Sequence, residues 1–122
     1  MNANDEAVLL RIHISNTDKF RHNPLSDMLV YTAKRYGLSG ATVLRGVMGY
    51  GSSNVVHSTR FWEVTEKIPL VIEIIDLPLN IDRYLGIILP WFDKIPTGCL
   101  ITSEKVNVIL SKKGRPRSFF KS

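Results

Sequence analysis

The stretch PLVIEIIDLPLNIDRYLGIILP, residues 69–90, decides the fold. Residues 70–76 form an apolar run rich in β-branched side chains, bounded by Pro69 and Pro78 and too short for a helix, so they read as a central strand. Beyond them Ile81, Tyr84, Leu85 and Ile88 recur at helical spacing after Asn80, with Pro90 close to the end. A strand and a helix therefore follow one another across one short junction.

Working outward, AVLLRIHI at residues 7–14 alternates, with Leu10, Ile12 and Ile14 on one side and Leu9, Arg11 and His13 on the other. That is a strand with one better-buried face. The polar run SNTDKFRHN at 15–23 reads as a loop, after which Asn23 as N-cap and Pro24 at the first helical position open a helix. Leu25, Met28, Leu29 and Thr32 form its stripe and Gly37 its stop. Residues 40–48 make the next strand, which loosens into a glycine-bearing loop, and VVHSTRFWEV at 55–64 is a weaker extended stretch. An IPTG turn precedes the last strand, residues 99–110. Met28 and Met48 are expected to fill the core.

The order is two β-α-β halves, that of an α+β, ferredoxin-like βαββαβ sandwich: a four-stranded antiparallel sheet with two helices on one face. The opposite face is left uncovered. In the run from Leu70 to Ile75 both faces are apolar apart from Glu73, which favours an oligomer packed through the open sheet face.

A chain of 122 residues is most simply one domain, here residues 1–110 followed by a basic tail, 111–122, expected to be disordered. Apolar residues make up 44% and charged residues 22%, the balance of a globular protein. The net charge of +5 owes much to Lys112, Lys113, Arg115, Arg117 and Lys121 in that tail. Its KKGRPR core resembles the Gly-Arg-Pro unit of minor-groove binders, so a nucleic-acid-associated protein using this tail is one alternative function, a non-ligand-binding structural trimer the other. One cysteine, Cys99, allows no intramolecular disulfide and fits a reducing, cytoplasmic setting. MNANDEAVLLRIHI lacks a basic n-region, and no apolar run has the roughly 20 residues that span a bilayer, so membrane insertion is not expected.

Enzyme chemistry finds little support. His13, His22 and His57 are not spaced to converge on a metal, Ser52 and Ser53 lack a nucleophile elbow, and Glu63, Glu66, Glu73 and Asp76 form no acid/base pair. Cys99 has no neighbour that would activate it and reads as a packed strand cysteine. Arg60-Phe61-Trp62 is a candidate partner contact, since Trp and Arg dominate interface hot spots, and His57 lies in the same loop. Gly49-Tyr50-Gly51-Ser52-Ser53 is no Rossmann fingerprint, for no third glycine opens a helix.

Three motifs carry a resemblance: GATVLRGVMGYGSS at 40–53, IPLVIEIID at 68–76 and TGCLITSEKVNVI at 97–109. With the first strand and helix they make residues 7–110 similar to the PII-like signalling proteins, in particular their bacterial and archaeal branch of unknown function with a short loop between the second and third strands. The resemblance implies a homotrimer whose sheets enclose the centre, with no catalytic activity. It also implies a small anionic effector between subunits (ATP, ADP, AMP or cyclic AMP) and a loop that reports to a target such as a transporter or enzyme.

Carried over by position, Thr42 falls near the base, Gly49 and Gly51 line the cleft with backbone beside Ser52 and Ser53, and Gly98 faces them from the neighbouring chain. Glycines let backbone N–H groups approach a phosphate closely. Where nucleotide-binding members have Lys after the turn glycine this chain has Cys99, and their paired arginines after the fourth strand are missing. Lys94 before the turn, or Lys112, Lys113 and Arg115 after it, are the candidate replacements. One residue extra between Thr42 and Gly49 implies a bulge at Arg45-Gly46.

Overall fold

The structure, a computed structural model, describes residues 1–51, the backbone of 57–58, and 67–116. Its elements run β1 (Glu6–Ser15), β2 (Lys19–Phe20), β3 (Asn23–Pro24), α1 (Leu25–Arg35), β4 (Thr42–Arg45), β5 (Met48–Gly49), β6 (His57–Ser58), β7 (Pro69–Asp76), α2 (Pro78–Phe92) and β8 (Leu100–Asn107). The main sheet has the order β4-β7-β1-β8, every pair antiparallel. The ferredoxin-like arrangement is therefore present, with β1 and β7 in the middle.

Alternation in β1 sends Leu10, Ile12 and Ile14 into the core with Leu70, Ile72 and Ile74 of β7. The stripes Leu25, Leu29 and Ala33 of α1 and Ile81, Tyr84 and Ile88 of α2 cover them. Each of the Leu and Ile side chains contributes about 1.5–3 kcal/mol by leaving water. Tyr84 adds a polar tie, its buried hydroxyl donating to the Leu29 carbonyl at 2.8 Å, and burial raises its pKa above the ordinary phenol value. The two helices are thereby joined inside the core.

The open face places Leu9, Ile75, Val71, Leu44, Leu100 and Val106 around an ion triad at its centre. Arg11 Nε donates to Glu73 at 2.9 Å and Nη1 to Glu104 at 2.8 Å, linking the three strands β7, β1 and β8. Leu44, Ile75 and Leu100 are 46%, 42% and 58% exposed, so an apolar rim surrounds the triad.

Several boundaries differ from the sequence reading, each for a local reason. Asn23 does not cap α1. It pairs with Phe20 in a two-residue hairpin whose turn residues Arg21 and His22 have φ of 50° and 68°, the positive pair a type I′ turn requires, and Pro24 precedes the helix instead. Gly37 does close α1: with φ of 76° it lets its own N–H reach Lys34 O and the Leu38 N–H reach Ala33 O. The second strand is four residues, not nine, because the Gly46 N–H turns to Pro69 O at 2.8 Å, and a Cβ at Gly46 would meet Pro69 Cγ at 2.7 Å. Chain pairing resumes in β5 with β6, so the break falls where the extra residue implied a bulge. Met28 is only half-buried, and Met48, carried out on this ribbon, is 50% exposed and fills no core. Cys99 lies exposed ahead of β8 rather than packed in it.

Helix α2 starts at Pro78, two residues before Asn80, because Pro78 holds Leu77 extended and needs no N–H partner at the first turn. The buried Asp76 carboxylate organises this junction, accepting from Leu77 N at 2.7 Å, Asn80 Nδ2 at 2.8 Å and Ser39 N at 2.7 Å. Burial alone would raise its pKa, but the bonds from Asn80, Ser39 and Leu77 win and hold it below the ordinary carboxylate value.

Asp76→Asn is expected to cost about 1–3 kcal/mol in urea unfolding at neutral pH, since one donor loses its acceptor. A carboxyl held lower in the folded than in the unfolded chain stabilises above roughly pH 4 and ceases to do so as pH falls through its folded value. The gap between the two proteins therefore narrows at about pH 3. A gap that is absent, or equal at both pH values, contradicts this role.

Candidate functional site

At the end of the sheet where β1 leaves and β7 and β8 begin, two chain segments close on an open cleft of about 880 Å³. Gly49, Tyr50 and Gly51 line one side, and Gly98 and Cys99 another. The turn SNTD that follows β1 holds both walls. Asn16 clamps Ile68 twice, its Oδ1 accepting from Ile68 N at 2.7 Å and its N–H donating to Ile68 O at 2.9 Å. Asp18, 4% exposed, accepts from Ser15 N at 2.9 Å through Oδ2 and from Thr97 Oγ1 at 2.8 Å through Oδ1. Short Asn and Asp side chains form such bonds in turns, and here the bonds reach across about 50 and 80 residues of chain.

The sequence-predicted residues divide. Gly49, Gly51 and Gly98 line one cleft of the chain. Thr42 is elsewhere: it faces Glu73 in the sheet and lines a separate depression of about 670 Å³ with Ile75, Ile109 and Leu110. Lys94 sits in the turn after α2, its N–H on Trp91 O, and is not among the residues lining the glycine cleft. The backbone of His57 pairs with Gly49, which puts the base of the loop at the cleft. Ser52, Ser53, Arg60 and Trp62 lie outside the described residues.

Lys67, Asp18 and Thr97 also line the cleft and were missed. Lys67 directly precedes the clamped Ile68, so its backbone is fixed from one side. The signal for Asn16 and Asp18 was present, a run of four turn-forming polar residues directly after a strand. Nothing local to Lys67 marks it, because its position depends on a contact with Asn16.

The cleft is poorly suited to nucleophilic chemistry. Partial desolvation, and then the Asp18 carboxylate, raise the Cys99 thiol above its ordinary value, which keeps it protonated at neutral pH. Among the described residues no three His, Cys, Asp or Glu side chains are grouped to hold a metal ion. Among the described residues its lining combines glycine backbone, the Lys67 ammonium group, the Asp18 carboxylate, His13 and an apolar wall. No helix among the described residues is long and apolar enough to cross a membrane.

The fold is shared with PII-like proteins of known structure. A protein of Thermus thermophilus described as PII-like in signalling superposes with a TM-score of 0.62 at 21% identity, over 85% of this chain and 90% of that one. CPII, a nitrogen regulatory PII-like protein from Thiomonas intermedia solved with ADP, AMP and bicarbonate, gives 0.59 at 14% identity, over 84% and 90%. Residues 7–108 match the DUF190 family, described as "Uncharacterized ACR", and the chain belongs to that family. A UPF0166 protein of Aquifex aeolicus is 38% identical over 101 residues, 83% of this chain and 91% of its own length. Another, from Methanocaldococcus jannaschii, is 35% identical over 80 residues, 66% and 73%.

Asn16→Ala removes the acceptor from the buried Ile68 N–H. It is expected to lower stability by about 1–3 kcal/mol and to speed hydrogen exchange at the Ile68 amide. Unchanged protection of that amide contradicts the clamp.

Proposed function

We propose that this chain is a homotrimeric PII-like regulatory protein that binds a small anionic effector, an adenine nucleotide, and controls a partner protein through the loop after the second strand. The observation that carries the reading is the convergence of Gly49 and Gly51 with Gly98 on one cleft. Two segments about fifty residues apart, both singled out by family resemblance, share a concave surface at the base of the loop.

Free N–H groups of the glycine segments would meet the phosphate, and the apolar wall would take the base. ATP, ADP, AMP and cyclic AMP all carry that chemistry, and the bound ADP and AMP of CPII support the class. Thr42 and Lys94, removed from the cleft of a single chain, would have to reach the effector from a neighbouring subunit. The apolar rim around the Arg11 triad supports assembly through the open face. Ser52 and Ser53 belong to the effector side of the loop in this reading, and His57, Arg60 and Trp62 to its partner side. The effector would favour one loop state over another and so shift the population that a transporter or enzyme meets. The working unit would be residues 1–110, acting without catalysis in the cytoplasm, with 111–122 as a basic tail.

Thermal unfolding against ATP, ADP, AMP and cyclic AMP at fixed salt is the test, since a ligand that binds only the folded state raises the midpoint by mass action. A saturable rise with one nucleotide is expected. Gly51→Val should abolish it while leaving the unliganded midpoint unchanged, because a Cβ at Gly51 meets nothing within 4 Å and the added bulk enters the cleft. No rise with any nucleotide, or a rise that Gly51→Val leaves intact, contradicts the reading.

A further inference from the structure

The hairpin of β2 and β3 turns basic side chains outward. Lys19, Arg21 and His22 are exposed, and among the described residues none of them forms an ion pair. Their turn is an unfavourable place for such residues. A type I′ turn needs positive φ at both central positions, which Asn-Gly supplies most easily. Here Arg21 and His22 adopt φ of 50° and 68°, a region that crowds Cβ against the backbone. A turn that forgoes Asn-Gly for two basic side chains holds both of them out at its tip.

The base of the hairpin is fixed. Asp18 O accepts from Leu25 N at 2.8 Å, while its carboxylate takes Ser15 N–H and the Thr97 hydroxyl. Buried Phe20 meets Trp91 of α2 edge-on, with ring centroids 5.2 Å apart, and the Arg21 guanidinium lies over the Phe20 ring, 5.0 Å from its centroid. The Phe20–Trp91 and Asp18–Thr97 contacts also bind the turn after α2 to the hairpin, and exposed Lys94 sits in that turn between them, beside Asp93. Cations spread along a ribbon and an adjoining turn differ from a phosphate site, where donors converge on one point. They suit an extended partner with several carboxylates. Ser15, Asp18 and Thr97 are also walls of the glycine cleft, so the hairpin stands at the end of the molecule from which the loop after the second strand leaves.

We propose that the β2–β3 hairpin is a docking element for a carboxylate-rich segment of a partner protein, with Arg21 and His22 as tip contacts and Lys19 and Lys94 flanking them. The inference rests on the reading above for one point, that a protein is met at this end, and adds a contact that does not involve the effector. Rigidity separates the hairpin from the tail. A surface already held in its binding geometry loses less freedom on binding, whereas charge on an irregular segment supplies attraction alone. Lys112, Lys113 and Arg115 lie outside any helix or strand and so serve as an internal control.

The test is an amide chemical-shift titration of the full chain, at fixed salt and without nucleotide, with a synthetic peptide alternating Glu and Ser. The double variant Arg21→Asn/His22→Gly is titrated alongside. In the wild type the amides of residues 19–23 and of Lys94 are expected to move together and to saturate at a lower peptide concentration than those of residues 112–115. The variant installs the favoured Asn-Gly turn, so it should melt no lower than wild type, while the affinity read at Lys19 and Lys94 falls about three- to tenfold, the scale of two exposed ion pairs. Hairpin shifts that follow the tail at one affinity, shifts confined to the tail, or a variant that binds like wild type overturn the inference. So does a hairpin that binds a DNA duplex or phosphatidylserine vesicles more tightly than the peptide, which assigns the surface to another class of partner. With no nucleotide present, each of these outcomes leaves the effector reading standing, and the failure of that reading is seen separately in the thermal unfolding.

Discussion

The buried Asp18 carboxylate and its neighbour Asn16 fix where the ends of three strands lie. Strands β1, β7 and β8 pair along their lengths by backbone bonds, but those bonds stop at the sheet's edge. Beyond it the entry to β7 is held by Asn16 and the entry to β8 by Asp18 through Thr97. A buried polar group left unpaired costs more than the pair contributes, so the four-residue turn has few arrangements open to it. The cleft is the space left between those two tethered entries, and its shape follows from the tether.

The sheet supplies the other constraint. Because β1 lies between β7 and β8, its alternation commits one face to the helices and the other to whatever the open side meets. Placing Arg11 between Glu73 and Glu104 leaves that open face with a polar centre inside an apolar rim. Such surface ion pairs add little stability while they are wet. Their value lies in register: a subunit packing on this face would have to satisfy the triad as well as cover Leu44, Ile75 and Leu100. Glycine contacts at Pro69 then connect sheet to cleft, since Gly46 and Gly49 both pack against the residue that follows the Asn16 clamp.

Much of this was legible in the sequence because it is periodic. The alternation of residues 7–14, the apolar run of 70–76 and the stripes of both helices named the elements and their order, and family resemblance singled out the glycines that share the cleft. What escaped was set by contacts between distant segments. Asn23 looked like a helix cap until its pairing with Phe20 claimed it. Residues 40–48 looked like one strand because nothing local shows that Gly46 must close on Pro69. Lys67 was not singled out at all, because only the Asn16 clamp, a contact with a distant segment, brings it to the cleft from about thirty residues before Gly98. Thr42 shares a strand with the loop but faces a different depression.

The most direct measurement is an amide chemical-shift titration of the full chain with AMP. If the tethered cleft is the effector site, the amides of Gly49, Gly51, Gly98 and Cys99 move together and saturate at one affinity, while those of Ile109 and Leu110 in the second depression stay in place. Shifts confined to that second depression, or no saturable shifts at all, would contradict the account.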